Sequence, residues 1–195
     1  MPMPPPPDFA SLSLAEIARL AAENRRPPVE SWNPDHCGDS DMRIARDGTW
    51  FHMGSPIGRL PMVRLFSTIL RREPDGSFVL VTPVEKLSIE VEDAPFQAIE
   101  MKAEGEGEAM KLAFRLNTDE LVTAGPEHAL RFEAKETEAG PRPYLHVRRG
   151  LEALVSRNVY YELAQIALAN GSTPPGVWSN GAFFALEPQA TETKT

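Results

Sequence analysis

Twice in this chain an aromatic strand ending near a histidine runs into a Gly/Arg loop, then an apolar helical stretch, then an Asp/Asn-Gly turn. The first copy is Trp50-Phe51-His52-Met53, a loop through Gly54, Gly58 and Arg59, and Asp75-Gly76-Ser77-Phe78-Val79. The second is Tyr144-Leu145-His146-Val147, Arg148-Arg149-Gly150, and Asn180-Gly181-Ala182-Phe183-Phe184, with a longer helical region between. A hairpin, helix and returning strand cannot bury both faces alone, so two such units imply two small α+β lobes from an internal duplication, packed on each other. A cleft between lobes is a common place for a ligand.

The rest of the chain fits that plan. Ser13-Leu14-Ala15-Glu16 has capping-box spacing and opens a helix that ends before Arg25-Arg26-Pro27-Pro28, two arginines that suit its C-terminal dipole. Asp47-Gly48 between Met42-Arg43-Ile44 and Thr49-Trp50-Phe51-His52 predicts a hairpin. Ile57 to Arg72 reads as helix, with Val63, Phe66, Ile69 and Leu70 on one face. Strands are expected at 78–81, 87–91, 96–103, 110–116, 121–124, 129–134, 144–147 and 183–186, the later ones forming an antiparallel run. Leu151 to Ala169 reads as the longest helix. The division expected is a disordered tail plus helix over 1–30, a first lobe over 31–95, a second over 96–188, and a tail over 189–195.

Charge narrows the partners. The net charge is −8, and the acidity is concentrated between residues 73 and 140. An acidic chain disfavours nucleic acid, which needs clustered basic groups. No apolar run is long enough for a membrane span, and the Pro-rich start resembles no export signal. The single cysteine, Cys37, excludes an intrachain disulfide, so a cytoplasmic protein is expected. Neither Gly-x-x-x-x-Gly-Lys nor Gly-x-Gly-x-x-Gly occurs, no cofactor is implied, and no catalytic signature is present.

The candidate site residues lie beside the two helix starts. Arg59 and Arg64 follow the first glycine loop; Arg148, Arg149 and Arg157 surround Gly150. Amides at a helix start and nearby guanidinium groups suit an anion. The same arginines could instead pair with the acidic middle, Glu85, Glu90, Glu92 and Asp93 among others. Trp178, Tyr160, Tyr161 and Trp50 could stack on a ring or belong to the core. His36-Cys37-Gly38-Asp39 lacks further metal ligands at fixed spacing, and Cys37, His52 and His146 read as structural.

The run from Met42 through Gly48-Thr49-Trp50-Phe51-His52-Met53-Gly54-Ser55-Pro56-Ile57-Gly58-Arg59, with Val81-Thr82-Pro83-Val84-Glu85-Lys86 and Val91-Glu92-Asp93-Ala94-Pro95-Phe96, resembles the bacterial family catalogued as domain of unknown function 1285. Tyr144-Leu145-His146-Val147-Arg148 and Gly176-Val177-Trp178-Ser179 extend the resemblance to the second half. It implies a duplicated core, a pleckstrin-homology-like C-terminal lobe with a long helix, an interface pocket for a nucleotide-like ligand, and a role in signalling. Arg59, Thr82, Glu85 and Trp178 are the positions carried over, without assigned roles.

The residues therefore support a two-lobe protein binding a small anionic ligand, with Arg59, Arg64, Arg148 or Arg157 holding the anion and Tyr160 or Trp178 stacking a ring. The rival reading is a protein-interaction adaptor without a small ligand. A homodimer is left open.

Overall fold

The computed structural model describes residues 8–23, 26–134 and 140–188. The expected tails at 1–7 and 189–195 lie outside the described residues, as does Arg25. The first lobe holds β1 (Cys37–Ile44), β2 (Trp50–His52), β3 (Ser55–Pro56), α2 (Leu60–Thr68), β4 (Leu70–Arg72), β5 (Phe78–Val81) and β6 (Lys86–Val91), preceded by α1 (Leu14–Glu23). The second holds β7 (Phe96–Glu104), β8 (Lys111–Leu116), β9 (Leu121–Thr123), β10 (Leu130–Glu133), β11 (Arg142–Arg148) and β12 (Leu151–Val155). Then come α3 (Arg157–Asn170), β13 (Gly176–Ser179) and β14 (Ala182–Ala185).

Each lobe is one six-stranded sheet, and the two share a strand order. The first runs β3-β2-β1-β6-β5-β4, the second β9-β8-β7-β12-β11-β10. Two three-strand meanders therefore meet through their first and sixth strands, β1 with β6 and β7 with β12, and both of those pairs are parallel. The sheets are mixed, which corrects the expected antiparallel run: a meander returns beside itself antiparallel, but joining its first strand to the last strand of the next puts two like-directed strands together.

The likeness seen in the sequence is out of phase with this repeat. Hairpin β2–β3, α2 and hairpin β4–β5 match hairpin β11–β12, α3 and hairpin β13–β14 in order. Yet β2–β3 are the second and third strands of their sheet, whereas β11–β12 are the fifth and sixth. The helix lies between meanders in the first lobe and after both in the second. The histidine correspondence shifts too: His52 directly precedes the turn Met53-Gly54, the place held by Arg148 before Arg149-Gly150.

Two helices begin or end elsewhere than the periodicity predicts. Leu151, Ala153 and Val155 are buried while Glu152 and Leu154 are less so, a period of two rather than 3.6. Helix-favouring residues there are captured as β12 because β11 and β7 flank them on both sides. α2 stops at Thr68, and Leu70–Arg72 pairs with β5.

One core serves both lobes. Ile44, Trp50 and Leu70 belong to the same cluster of buried side chains as Phe96, Leu116 and Leu151. Val159, Leu163 and Ala167 form the buried stripe of α3, which packs on β13 and β7. Ser179 pins the last hairpin to the second sheet, accepting from the Leu112 amide at 2.9 Å and donating to the Ala124 carbonyl at 2.8 Å. The capping box forms: the Ser13 amide donates to Glu16 Oε2 at 2.7 Å, and the Glu16 amide to Ser13 Oγ at 3.2 Å. Ile17 seats that helix in a satellite cluster with Phe9 and Ala113. Among the described residues no helix is long and apolar enough to cross a membrane.

Candidate functional site: an arginine-lined crevice between the sheets

Strand alternation sorts the arginines at the lobe interface. On β4, Arg71 turns inward and is 7% exposed, whereas Arg72 faces out. Arg71 donates to the Val29 carbonyl at 2.9 Å, the Trp32 carbonyl at 2.8 Å and Glu73 Oε1 at 2.6 Å, so its guanidinium fastens the segment after α1 to the first sheet. Arg72 lies 5.7 Å from the Phe78 ring centroid and donates to the Gly150 carbonyl at 3.2 Å.

Arg148 ends β11 and turns into the interface. It donates to Glu120 Oε2 at 2.6 Å and to the Ser67 carbonyl of α2 at 2.9 Å, and it covers Phe96 at 5.1 Å. Burial pushes its pKa down, opposed by the carboxylate of Glu120 and reinforced by Arg26 and Arg149. Glu120 also pairs with Arg26, and Arg64 pairs with Asp119. Asp119 itself takes Arg115 Nη1 at 2.6 Å.

Arg149 and Gly150 form the β11–β12 turn with φ of 45° and 77°. Two positive φ values mark the turn that matches sheet twist, whose first position normally takes Asn, Asp or Gly. The equivalent turn before β14 does use Asn180. An arginine there carries backbone strain, and its side chain is exposed, 3.5 Å from Glu30. The histidine behind the turn is structural: His146 Nε2 accepts the Gly150 amide at 3.2 Å, and Nδ1 lies 2.9 Å from the Glu127 carbonyl.

These groups line three adjoining basins. The outer, of about 450 Å³, lies between Arg72, Arg149, Gly150, Glu30 and Asn33. A middle one of about 250 Å³ shares Glu30, Arg71 and Arg149 with it. An inner one of about 230 Å³ shares Arg26, Thr68 and Arg148 with the middle. Six arginines and four carboxylates line the three, a positive interior in a chain of net charge −8.

Of the eight candidate residues, Arg64 and Arg148 meet at this crevice, around Asp119 and Glu120. The other six do not line it. Arg59 is the exposed N-cap of α2, and Arg157 opens α3 in solvent. Thr82 and Glu85 shape the β5–β6 turn, Thr82 Oγ1 accepting the Glu85 amide at 3.2 Å. Tyr160 packs on the core beside Tyr161, and Trp178 lies against Phe183 with ring centroids 5.3 Å apart. The expected convergence of two helix starts is thus corrected: Arg148-Arg149-Gly150 leads into β12, so a helix side and a hairpin turn meet instead. The acidic partners also differ from those expected. Glu92 and Asp93 hold Arg43 and Arg142.

Arg26, Arg71, Arg72, Asp119 and Glu120 escaped the sequence reading. For the three arginines the signal was the doublet, present at 25–26, 71–72 and 148–149. Two of the doublets sit on or end a strand, where alternation sends neighbouring guanidinium groups to opposite faces. Cys37 is exposed, and among the described residues no group of three His, Cys, Asp or Glu is arranged to hold a metal.

The chain matches two family models, "Domain of unknown function (DUF1285), N-terminal domain" over residues 27–94 and "Protein of unknown function (DUF1285), C-terminal domain" over residues 95–186. It is similar to the crystal structure of a DUF1285 family protein from Silicibacter pomeroyi DSS-3, at 42% identity over 90% of this chain and 95% of that one, with a TM-score of 0.75. A DUF1285 family protein from Shewanella baltica OS155, 24% identical over 64% of this chain and 91% of that one, shares the fold at a TM-score of 0.50. No curated protein matches. With two family models meeting at the boundary between its sheets, and a 42% identical relative spanning nearly its full length, the chain belongs to the DUF1285 family.

Proposed function

We propose that this protein binds a small anionic, nucleotide-like ligand in the outer part of the crevice, as a cytoplasmic component of a signalling response. The observation that carries the reading is Arg149, an exposed guanidinium on a turn position where arginine is strained, beside the outward-facing Arg72. Strain of this kind persists where a side chain is needed at one place. Arg71 and Arg148 spend their donors on carbonyls and carboxylates, so they shape the walls and lend positive potential. Arg72 and Arg149 keep donors facing the basin and would hold the anion. The C-terminal sheet with α3 behind it is the part we read as pleckstrin-homology-like. Thermal-shift measurement against nucleotides and inorganic phosphates tests the reading: at least one should stabilise the protein, and Arg149→Ala should abolish the shift. A flat response to the whole panel refutes it.

One observation favours the adaptor reading instead. Leu60, Met62 and Leu65 on α2 are exposed, Leu65 at 63%, close in sequence to the exposed Met53 at the β2–β3 turn. Exposed apolar side chains clustered on one helix suit a protein partner. Co-purification of a partner that Leu65→Glu releases would support that reading.

A further inference from the structure

Strand β1 is eight residues long, but β2 pairs with only its last three, residues 42–44. The turn at Met53-Gly54, with φ of 49° and 80°, then carries the chain away into β3. Its last bond to β1 runs from the Met53 amide to the Asp41 carbonyl at 2.8 Å. Beyond that bond, residues 37–40 pair with β6 on one side and, among the described residues, with no strand on the other. The Lys86 amide donates to the His36 carbonyl at 2.9 Å, so His36, Gly38 and Ser40 turn their backbone groups to β6. Alternation then turns those of Cys37 and Asp39 outward, on a stretch where Cys37, Gly38 and Asp39 are all exposed. A row of free amides and carbonyls at a sheet edge is a template for a further strand.

Charge says what kind of strand it takes. A basin of about 540 Å³ adjoins the edge, lined by Asp39, Asp41, Ser88, Glu90, Arg43 and the exposed Met53 among others. Asp39 and Ser88 are cross-strand partners and Glu90 lies two residues further on, so their side chains share the face turned away from the core. Arg43 is held by Glu92 and lies 4.4 Å from the Phe51 ring centroid, while Lys86 Nζ lies 3.7 Å from Glu73. The nearby cations are thus engaged elsewhere, and three carboxylates leave the edge negative.

We infer that this edge takes an extended basic segment of a partner protein as an added strand, in line with β2. Backbone bonds to Cys37 and Asp39 hold it, and its alternate lysines or arginines lie over Asp39 and Glu90. A second copy of this chain fits poorly, because laid antiparallel on the same edge it sets Asp35, Asp39 and Asp41 against one another. None of the residues lining this basin lines the arginine crevice, so the inference goes beyond the proposed ligand and stands without it.

Fluorescence anisotropy of a labelled octapeptide of alternating lysine and valine, titrated with the full chain at physiological salt, tests this. The peptide should bind saturably. Methylating its lysine amides keeps every charge but removes the donors that face Cys37 and Asp39, and should weaken binding by about tenfold or more. That comparison needs no variant of the protein; Asp39→Asn with Glu90→Gln, which removes two exposed ion pairs, should weaken binding about fivefold. Cys37 is the chain's one thiol and lies on the open stretch, so its alkylation by iodoacetamide locates the peptide. Saturating peptide should slow that reaction about tenfold. Four results would overturn the inference: no binding, equal binding of the methylated peptide, binding that leaves the alkylation of Cys37 unchanged, or protection of Cys37 that grows with protein concentration alone. The second would mark charge attraction without strand pairing, and the last would give the edge to a second copy.

Discussion

Replacing Arg148 should loosen one lobe from the other, and a double-mutant cycle with Glu120 measures by how much. The Arg148 side chain is 14% exposed and that of Glu120 9%, so solvent screens their bond little. Arg148→Met keeps an apolar stem over Phe96 but removes the donors to Glu120 and to the Ser67 carbonyl. Breaking a buried pair from one side costs about 3–5 kcal/mol; with Arg26 still holding Glu120, the lower end applies, about 3 kcal/mol. For a chain of this length that lowers the Tm by roughly 6–12 °C. Glu120→Gln should cost a similar amount, because it leaves two guanidinium groups facing a neutral amide. The shared bond can be lost only once, so the double variant should cost about 4 kcal/mol, a coupling of about 2 kcal/mol. Urea denaturation followed by tryptophan fluorescence reads all four corners. Costs that add to within about 0.5 kcal/mol would refute the clamp.

The strained turn makes a second prediction. Arg149→Asn should raise stability by about 1 kcal/mol, roughly 2–4 °C in Tm, because Asn tolerates φ of 45°, while abolishing nucleotide-dependent stabilisation; a lower Tm would contradict the strain argument. Tyr144 makes a third. Burial and its 2.6 Å bond to Asp93 push its phenol from 10.0 up to about 12. The folded state therefore holds that proton more tightly than the unfolded chain. The stability gained is complete below pH 10 and is lost as pH rises through about 12. Near-ultraviolet tyrosinate titration should show one late-titrating tyrosine that Tyr144→Phe removes.

Much of the fold was legible because its signals are local. The Ser13/Glu16 capping box and the Asp47-Gly48 hairpin depend on neighbours within five residues. What the residues hid was long-range. Leu151–Val155 contains good helix formers, and pairing with β11 on one side and with β7, more than fifty residues earlier, on the other makes it a strand. The parallel joins that give both sheets one strand order are likewise absent from any local pattern. At the crevice, Arg64 was found because it follows a glycine loop and Arg148 because it flanks Gly150. Arg72 was missed because its role depends on which face of a three-residue edge strand it occupies, and Glu120 because its partners lie 94 and 28 positions away.

Calorimetric affinity for the most stabilising nucleotide, compared between wild type and an Arg72→Ala/Arg149→Ala double variant, tests the crevice most directly. Each guanidinium lost removes a bond to a charged group, so affinity should fall by about a hundredfold or more in total, with the fold intact. Equal affinity in the two proteins would mean that the outer arginines do not hold the ligand, and the account would fail there.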